Sequence, residues 1–285
     1  MTAAGSALLG IAFQPDWWQV MMSSFMRNAM VGGTLVATAA GVIGYFVIVR
    51  NAAFAAHALA HIGLPGATGA VLLGLPVTLG LTVFCVGGAV TIGALGHRAQ
   101  DREVATGTVL SFATGLGLYF ASQATRSSST MTNVLFGNLL AVSPAQLVVF
   151  ATFVLGVVAL VAAIHRPLLF SSVDERVARS RGVPTRALSV VFMVLLGLVV
   201  AMSVQVVGTL LLFALVVTPA ATAIMVTPNP ARATVITLGL NLVSVWTGLV
   251  LAAMFSLPPS FCIVTIAAGT WVAVRLTGRS RHVML

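Results

Sequence analysis

Leu188-Ser-Val-Val-Phe-Met-Val-Leu-Leu-Gly-Leu-Val-Val-Ala-Met-Ser203 is followed, after Val204 and Gln205, by Val206-Val-Gly-Thr-Leu-Leu-Leu-Phe-Ala-Leu-Val-Val-Thr-Pro-Ala-Ala-Thr-Ala-Ile-Met-Val226, and neither run holds a charged side chain. A membrane-crossing helix needs roughly 20 mostly apolar residues, so the pair reads as two consecutive spans. The same texture extends outward in both directions. Apolar runs separated by charged or proline-containing breaks predict spans near 28–49, 53–74, 76–95, 104–124 and 145–165 before this stretch, and near 233–255 and 259–276 after it. Residues 131–142 are apolar but too short to cross, and Pro144 closes them, which predicts a short re-entrant or partial helix. The expected fold is all-α: one polytopic transmembrane helix bundle of about nine spans (8–10), occupying residues 1–285 as a single domain.

Composition points the same way. Of 285 residues 59% are hydrophobic and 7% charged, with a mean hydropathy of +1.09, whereas a soluble domain carries roughly a quarter charged residues. The formal charge of +9 does not indicate nucleic acid, because the arginines sit singly in short breaks and form no basic face. They are sorted by side instead. Arg50, Arg98, Arg102, Arg166, Arg176, Arg179, Arg181, Arg186, Arg232, Arg275, Arg279 and Arg281 fall on one side of the expected bundle, and only Arg27 and Arg126 on the other. The first side is therefore cytoplasmic, with the N-terminus outside. Residues 1–13 are apolar but lack a basic start, so no cleaved signal peptide is expected. Trp17 and Trp18 suit an interfacial anchor. Cys85 and Cys262 lie far apart within apolar runs and read as small packing residues.

Few side chains can carry chemistry. The five acidic residues, Asp16, Asp101, Glu103, Asp174 and Glu175, all lie outside the spans, which removes intramembrane carboxylate relays. All fourteen residues counted as Lys plus Arg are arginines. Without lysine there is no Walker A loop, so any ATP hydrolysis coupled to this protein must occur on another polypeptide. What remains in the spans is Phe54-Ala-Ala-His57-Ala-Leu-Ala-His61, two histidines four residues apart and hence on one helix face. Imidazole is the commonest ligand for zinc and related ions. The spacing is that of the H-E-x-x-H metalloproteases, but Ala58 stands where their general base would be, so hydrolysis is disfavoured. Two imidazoles make half of a tetrahedral shell, and other groups, water or a second copy must complete it. The competing reading is that both rings only bond neighbouring helices. His97, His165 and His282 adjoin arginines at the cytoplasmic boundary and carry no comparable signal.

The longest polar segment, residues 166–186, contains Asp174-Glu175-Arg176 and ends in Gly182-Val183-Pro184 on the cytoplasmic side. It is long enough for a short surface helix. Either it is a solvated connector or it docks a cytoplasmic partner.

Several stretches resemble the permease subunits of bacterial zinc/manganese/iron ABC importers, the ABC-3 family. Ala58-Leu-Ala-His61-Ile-Gly-Leu-Pro65-Gly66 is similar to its G-D-A-L-S-H-A-x-L-P-G motif. Leu135-Phe-Gly-Asn-Leu-Leu-Ala-Val-Ser143 resembles L-F-G-x-I-L-A-V-S, and Asp174-Glu175 with Ala178 and Gly182-Val-Pro184 resembles D-E-x-x-A-x-x-x-G-V. The stretch from Gln205 through Thr218-Pro219 to Ala223 is the most specific match. The resemblance implies a type II ABC importer-like permease, multi-pass in a bacterial inner membrane. It also implies a second copy of the chain, cytoplasmic ABC ATPase subunits and an extracytoplasmic metal-binding protein as partners, with no permanently bound cofactor. Within residues 168–186, Asp174, Glu175, Ala178 and Gly182 would couple to the ATPase, and Pro219 would serve as a gating kink. The family's Asp and His four apart map onto His57 and His61, so here an imidazole replaces the carboxylate. Nitrogen ligands suit zinc better than manganese, and zinc is the expected cargo ahead of manganese or iron. The rival readings are a stand-alone cation channel or secondary transporter, a membrane scaffold with structural histidines and, weakest, an intramembrane hydrolase.

Overall fold

A computed structural model describes residues 13–96, 99–123, 132 and 134–277. His97, Arg98, Arg126, Arg279, Arg281 and His282, which entered the sequence reading, lie outside these residues. Among the described residues all regular structure is helical: α1 (Trp17–Met22), α2 (Ser24–Val49), α3 (Ala53–Leu72), α4 (Val77–Leu95), α5 (Ala99–Gln123), a 3-10 turn (Leu139–Ala141), α6 (Pro144–Val173), α7 (Glu175–Ser180), α8 (Thr185–Val226), α9 (Pro230–Phe255) and α10 (Pro259–Leu276).

The helix starts are set by local chemistry. Ser143 forms a reciprocal capping box with Gln146, and Pro144 supplies the preset φ of a first helical residue. Asn229 accepts from the Arg232 N–H in front of Pro230, and Ser23 accepts from the Met26 N–H. These caps satisfy donors that would otherwise be orphaned at the helix ends.

Among the described residues seven helices are long and apolar enough to cross a membrane: α2, α4, α5 (from Asp101), α6, α8, α9 and α10. The sequence reading expects about nine spans, and two features account for the difference. The first is α3, which matches the expected 53–74 run but carries two histidines, a proline and three glycines. It tolerates them because it lies inside the bundle, where Ala58, Leu59, Ala60 and Ala67 are essentially inaccessible. The second is α8, which holds both of the runs first quoted in a single element of 42 residues. At 1.5 Å per residue a straight helix of that length would reach about 63 Å, twice the hydrocarbon thickness.

Contacts with α2 show how α8 fits. Phe192 lies beneath Arg50 at the C-terminal end of α2. Val206 then adjoins Gly32 near its N-terminal end, and Val216 and Ala220 adjoin Gly44, back toward the C-terminal end. The chain therefore doubles back, and the one residue with non-helical angles inside α8 is Gly208 (φ 77°, ψ 167°). The expected kink residue, Pro219, sits further along, within helical backbone. Within the expected partial helix, residues 134–142 pack on this apex: helical at 134–136, turned at Gly137 (φ 73°), then a 3-10 turn.

Burial is concentrated in α2, α3 and α8. Helices α5, α6 and α10 instead turn large apolar side chains outward, among them Phe112, Leu118, Leu155 and Phe261. Lipid, or another apolar surface, is the solvent such a face requires.

Candidate metal site

Helix α3 carries His57 and His61 one turn apart, and their ring centroids are 4.7 Å from each other at an interplanar angle of 69°. The Phe213 ring, from the second leg of α8, closes on His57 at 4.9 Å. Both histidines are partly buried. The Nδ1 atom of His57 is buried without a hydrogen-bond partner. An unsatisfied buried nitrogen costs about 1–3 kcal/mol, and a metal ion or a bound water is the usual remedy.

The position of α3 is fixed by close backbone approach. A methyl group at Gly66 would collide with the Gly80 carbonyl of α4, and one at Gly80 with the Gly66 carbonyl. Only glycine at both positions lets α3 and α4 meet backbone to backbone. Pro65 lies four residues after His61 and has no N–H to offer the His61 carbonyl, which leaves that oxygen outside the regular helix ladder. The pair therefore has two imidazoles and an adjacent carbonyl within one turn. No group of three or more His, Cys, Asp or Glu side chains able to hold a metal occurs among the described residues. Cys85 is spent on packing, as expected: it is inaccessible and its thiol donates to the Leu59 carbonyl at 3.4 Å.

The polar segment after α6 is built from four of its motif residues. Asp174 caps α7 by accepting from the Val177 N–H at 2.9 Å. Glu175 pairs with Arg179 at 2.7 Å. Ala178 is fully buried, the inward side of an otherwise exposed helix. Gly182 takes a left-handed φ of 80°, and the Val183 N–H returns to the Ala178 carbonyl at 3.1 Å, closing α7 with a Schellman-type turn. The spacing of Asp, Glu, Ala and Gly thus specifies one short helix with a defined start, inner face and stop.

Sequence reasoning passed over a second polar group. A cavity of about 550 Å³ on the opposite side of the bundle is lined by Thr78, Asn138, Gln146 and Gln205 among apolar side chains. Thr78 donates to the Gln205 side-chain oxygen at 2.7 Å, joining α4 to α8. These groups present neutral oxygens and amides to the cavity, a hard-donor set unlike the histidines. Asn138 and Gln205 stand within quoted motifs, but sequence alone does not bring residues so far apart into one pocket.

The model of the ABC 3 transport family matches residues 22–277. The chain is similar to the manganese transport system membrane protein MntC of Listeria monocytogenes, 31% identical over 249 residues that cover 87% of this chain and 89% of that one. It is also similar to a probable iron transport system membrane protein of Haemophilus influenzae, 26% identical over 90% of this chain and 95% of the relative. Among solved structures it resembles a chain of PsaBC from Streptococcus pneumoniae in complex with Fab, with a TM-score of 0.82 and 27% identity across 94% of this chain and 97% of that one.

Proposed function

The chain belongs to the ABC 3 transport family, and we propose that it is the membrane-spanning permease of an ATP-driven importer for a divalent transition metal, with His57 and His61 as the residues that meet the ion. The observation that carries this reading is the edge-to-face imidazole pair, one of its nitrogens buried and unpartnered, on an internal helix without a charged side chain. Two side-chain ligands hold an ion weakly enough to let it go, as transport demands and a closed four-ligand site would not.

In this reading the chain crosses the membrane nine times, counting α3 and each leg of α8, with the N-terminus outside and the arginine-rich ends in the cytoplasm. A second copy completes the pathway, and an extracytoplasmic protein delivers the metal. ATP is hydrolysed on separate subunits, since the chain has no lysine for a Walker A loop. Those subunits act on residues 174–183. Movement of α7 passes to α6 and the start of α8, and the helices around His57 and His61 tilt between outward and inward access. Gly208 and Pro219 are the points where α8 can yield.

Zinc is the proposed cargo, because two imidazoles favour it over harder ions. Manganese is the second reading, favoured by the name of the Listeria relative and by the oxygen-lined cavity at Thr78, Asn138, Gln146 and Gln205. The test is uptake of radioactive zinc and manganese into vesicles containing this chain with and without its ATPase. Accumulation that requires ATPase and ATP supports the importer. Uptake by the chain alone, without ATP, would mark it as a channel or secondary transporter.

A further inference from the structure

Away from the histidines, at the arginine-rich end of the bundle, a cavity of about 1060 Å³ opens between the end of α4, the start of α5, α7 and the start of α8. Five arginines line it, Arg50, Arg102, Arg176, Arg179 and Arg186, with a single carboxylate residue, Glu175. That carboxylate is engaged by Arg179, in the one ion pair found among the described residues. The other four cations have no carboxylate partner there.

Arg50 is the most constrained. Its Nη1 donates to the hydroxyls of Ser171 (3.1 Å) and Ser172 (3.0 Å), and its guanidinium lies 5.2 Å over the Phe192 ring. Its Nε is buried and has no partner. Arg102 donates to the Arg50 carbonyl at 2.8 Å, which draws a second cation against the first. Burial, with the neighbouring Arg102, pulls the Arg50 guanidinium down from its ordinary value to about 10, Glu175 opposing the shift. Gathering like charges in a partly desolvated space is costly unless an anion joins them. Ser180, Thr185 and Ser189 add hydroxyl groups to the same walls.

We propose that this cavity binds a phosphate group, gripped by Arg50, Arg102 and Arg186, and that its occupancy ties α7 to the α4–α5 end of the bundle. Guanidinium forks match phosphate oxygens in pairs, and hydroxyl donors fill the remaining positions. Two sources share this chemistry: the headgroup of an anionic phospholipid and a soluble phosphate. The site is separate from the histidine pair and does not depend on which ion, if any, that pair carries.

The experiment titrates the full chain, purified in neutral detergent, with dioctanoyl phosphatidylglycerol, dioctanoyl phosphatidylcholine, inorganic phosphate and pyrophosphate. Bound mass is read by native mass spectrometry and the unfolding midpoint by thermal denaturation. Binding of an anionic probe with a raised midpoint is expected, and phosphatidylcholine should do neither. Both effects should fall severalfold in Arg102→Gln/Arg186→Gln, or in Arg186→Gln alone if the double variant does not fold. A response to phosphatidylglycerol only assigns a lipid headgroup, and a response to phosphate or pyrophosphate assigns a soluble ligand. No binding of any anionic probe to the folded wild type, or binding undiminished in the variants, overturns the proposal.

Discussion

Gly137 and Gly208 cross backbone against backbone, each with a left-handed φ, at the apex where α8 turns back. A methyl on Gly137 would strike the Val207 carbonyl carbon and the Gly208 nitrogen, and one on Gly208 would strike the Phe136 carbonyl carbon and the Gly137 nitrogen. The Thr209 hydroxyl donates to the Leu135 carbonyl at 3.5 Å beside the crossing. Two stretches separated by some 70 residues thus form one joint.

Alanine at either glycine meets two penalties, the left-handed backbone at about 1–2 kcal/mol and the steric overlap at about 1–3 kcal/mol. Gly137→Ala and Gly208→Ala are each expected to lower the thermal unfolding midpoint in detergent by several degrees. Gly107→Ala and Gly239→Ala, where an added methyl meets nothing within 4 Å, should leave it unchanged or slightly raised. Equal effects at all four positions would remove the joint from the account.

Ala178 offers a test of coupling. Its side chain is fully buried beneath α7, so Ala178→Leu must push the helix away from the bundle. With the ATPase present, metal uptake per ATP hydrolysed is expected to drop, while the permease still folds and inserts. Unchanged stoichiometry would mean that α7 does not transmit the ATPase movement.

His57→Asp addresses the choice of ion. A carboxylate in place of one imidazole exchanges a nitrogen donor for a harder oxygen. The ratio of zinc to manganese uptake should fall by roughly an order of magnitude relative to wild type. A ratio that does not move would detach His57 from selectivity.

Much of the bundle is legible in the sequence because its signal is local. Apolar runs of sufficient length and polar breaks at their ends mark α2, α4, α5, α9 and α10 to within about five residues, whereas α6 runs on to Val173, past the expected end at 165. The pairing of His57 with His61 follows from helical spacing, and the structure brings their rings together as that spacing requires. The short helix α7 is also written locally, through its Asp cap and Gly stop. What the sequence conceals depends on chain segments meeting from afar. Gly208 looks like one glycine among many until Gly137 is laid across it, and the break expected at Val204 and Gln205 falls instead at Gly208. Thr78, Asn138, Gln146 and Gln205 share a pocket only after α4, α6, α8 and the segment before α6 have packed. The arginine cavity likewise gathers residues from helix ends that the sequence shows as isolated charges.

The most direct measurement is ATP-dependent zinc and manganese uptake by His57→Ala/His61→Ala in vesicles containing the partner ATPase, with insertion and thermal stability of the variant checked alongside. If the pair meets the ion, uptake falls to the level seen without ATP while the variant remains folded. Wild-type uptake by a variant with lowered stability would contradict this, and would make the two imidazoles structural bonds between helices.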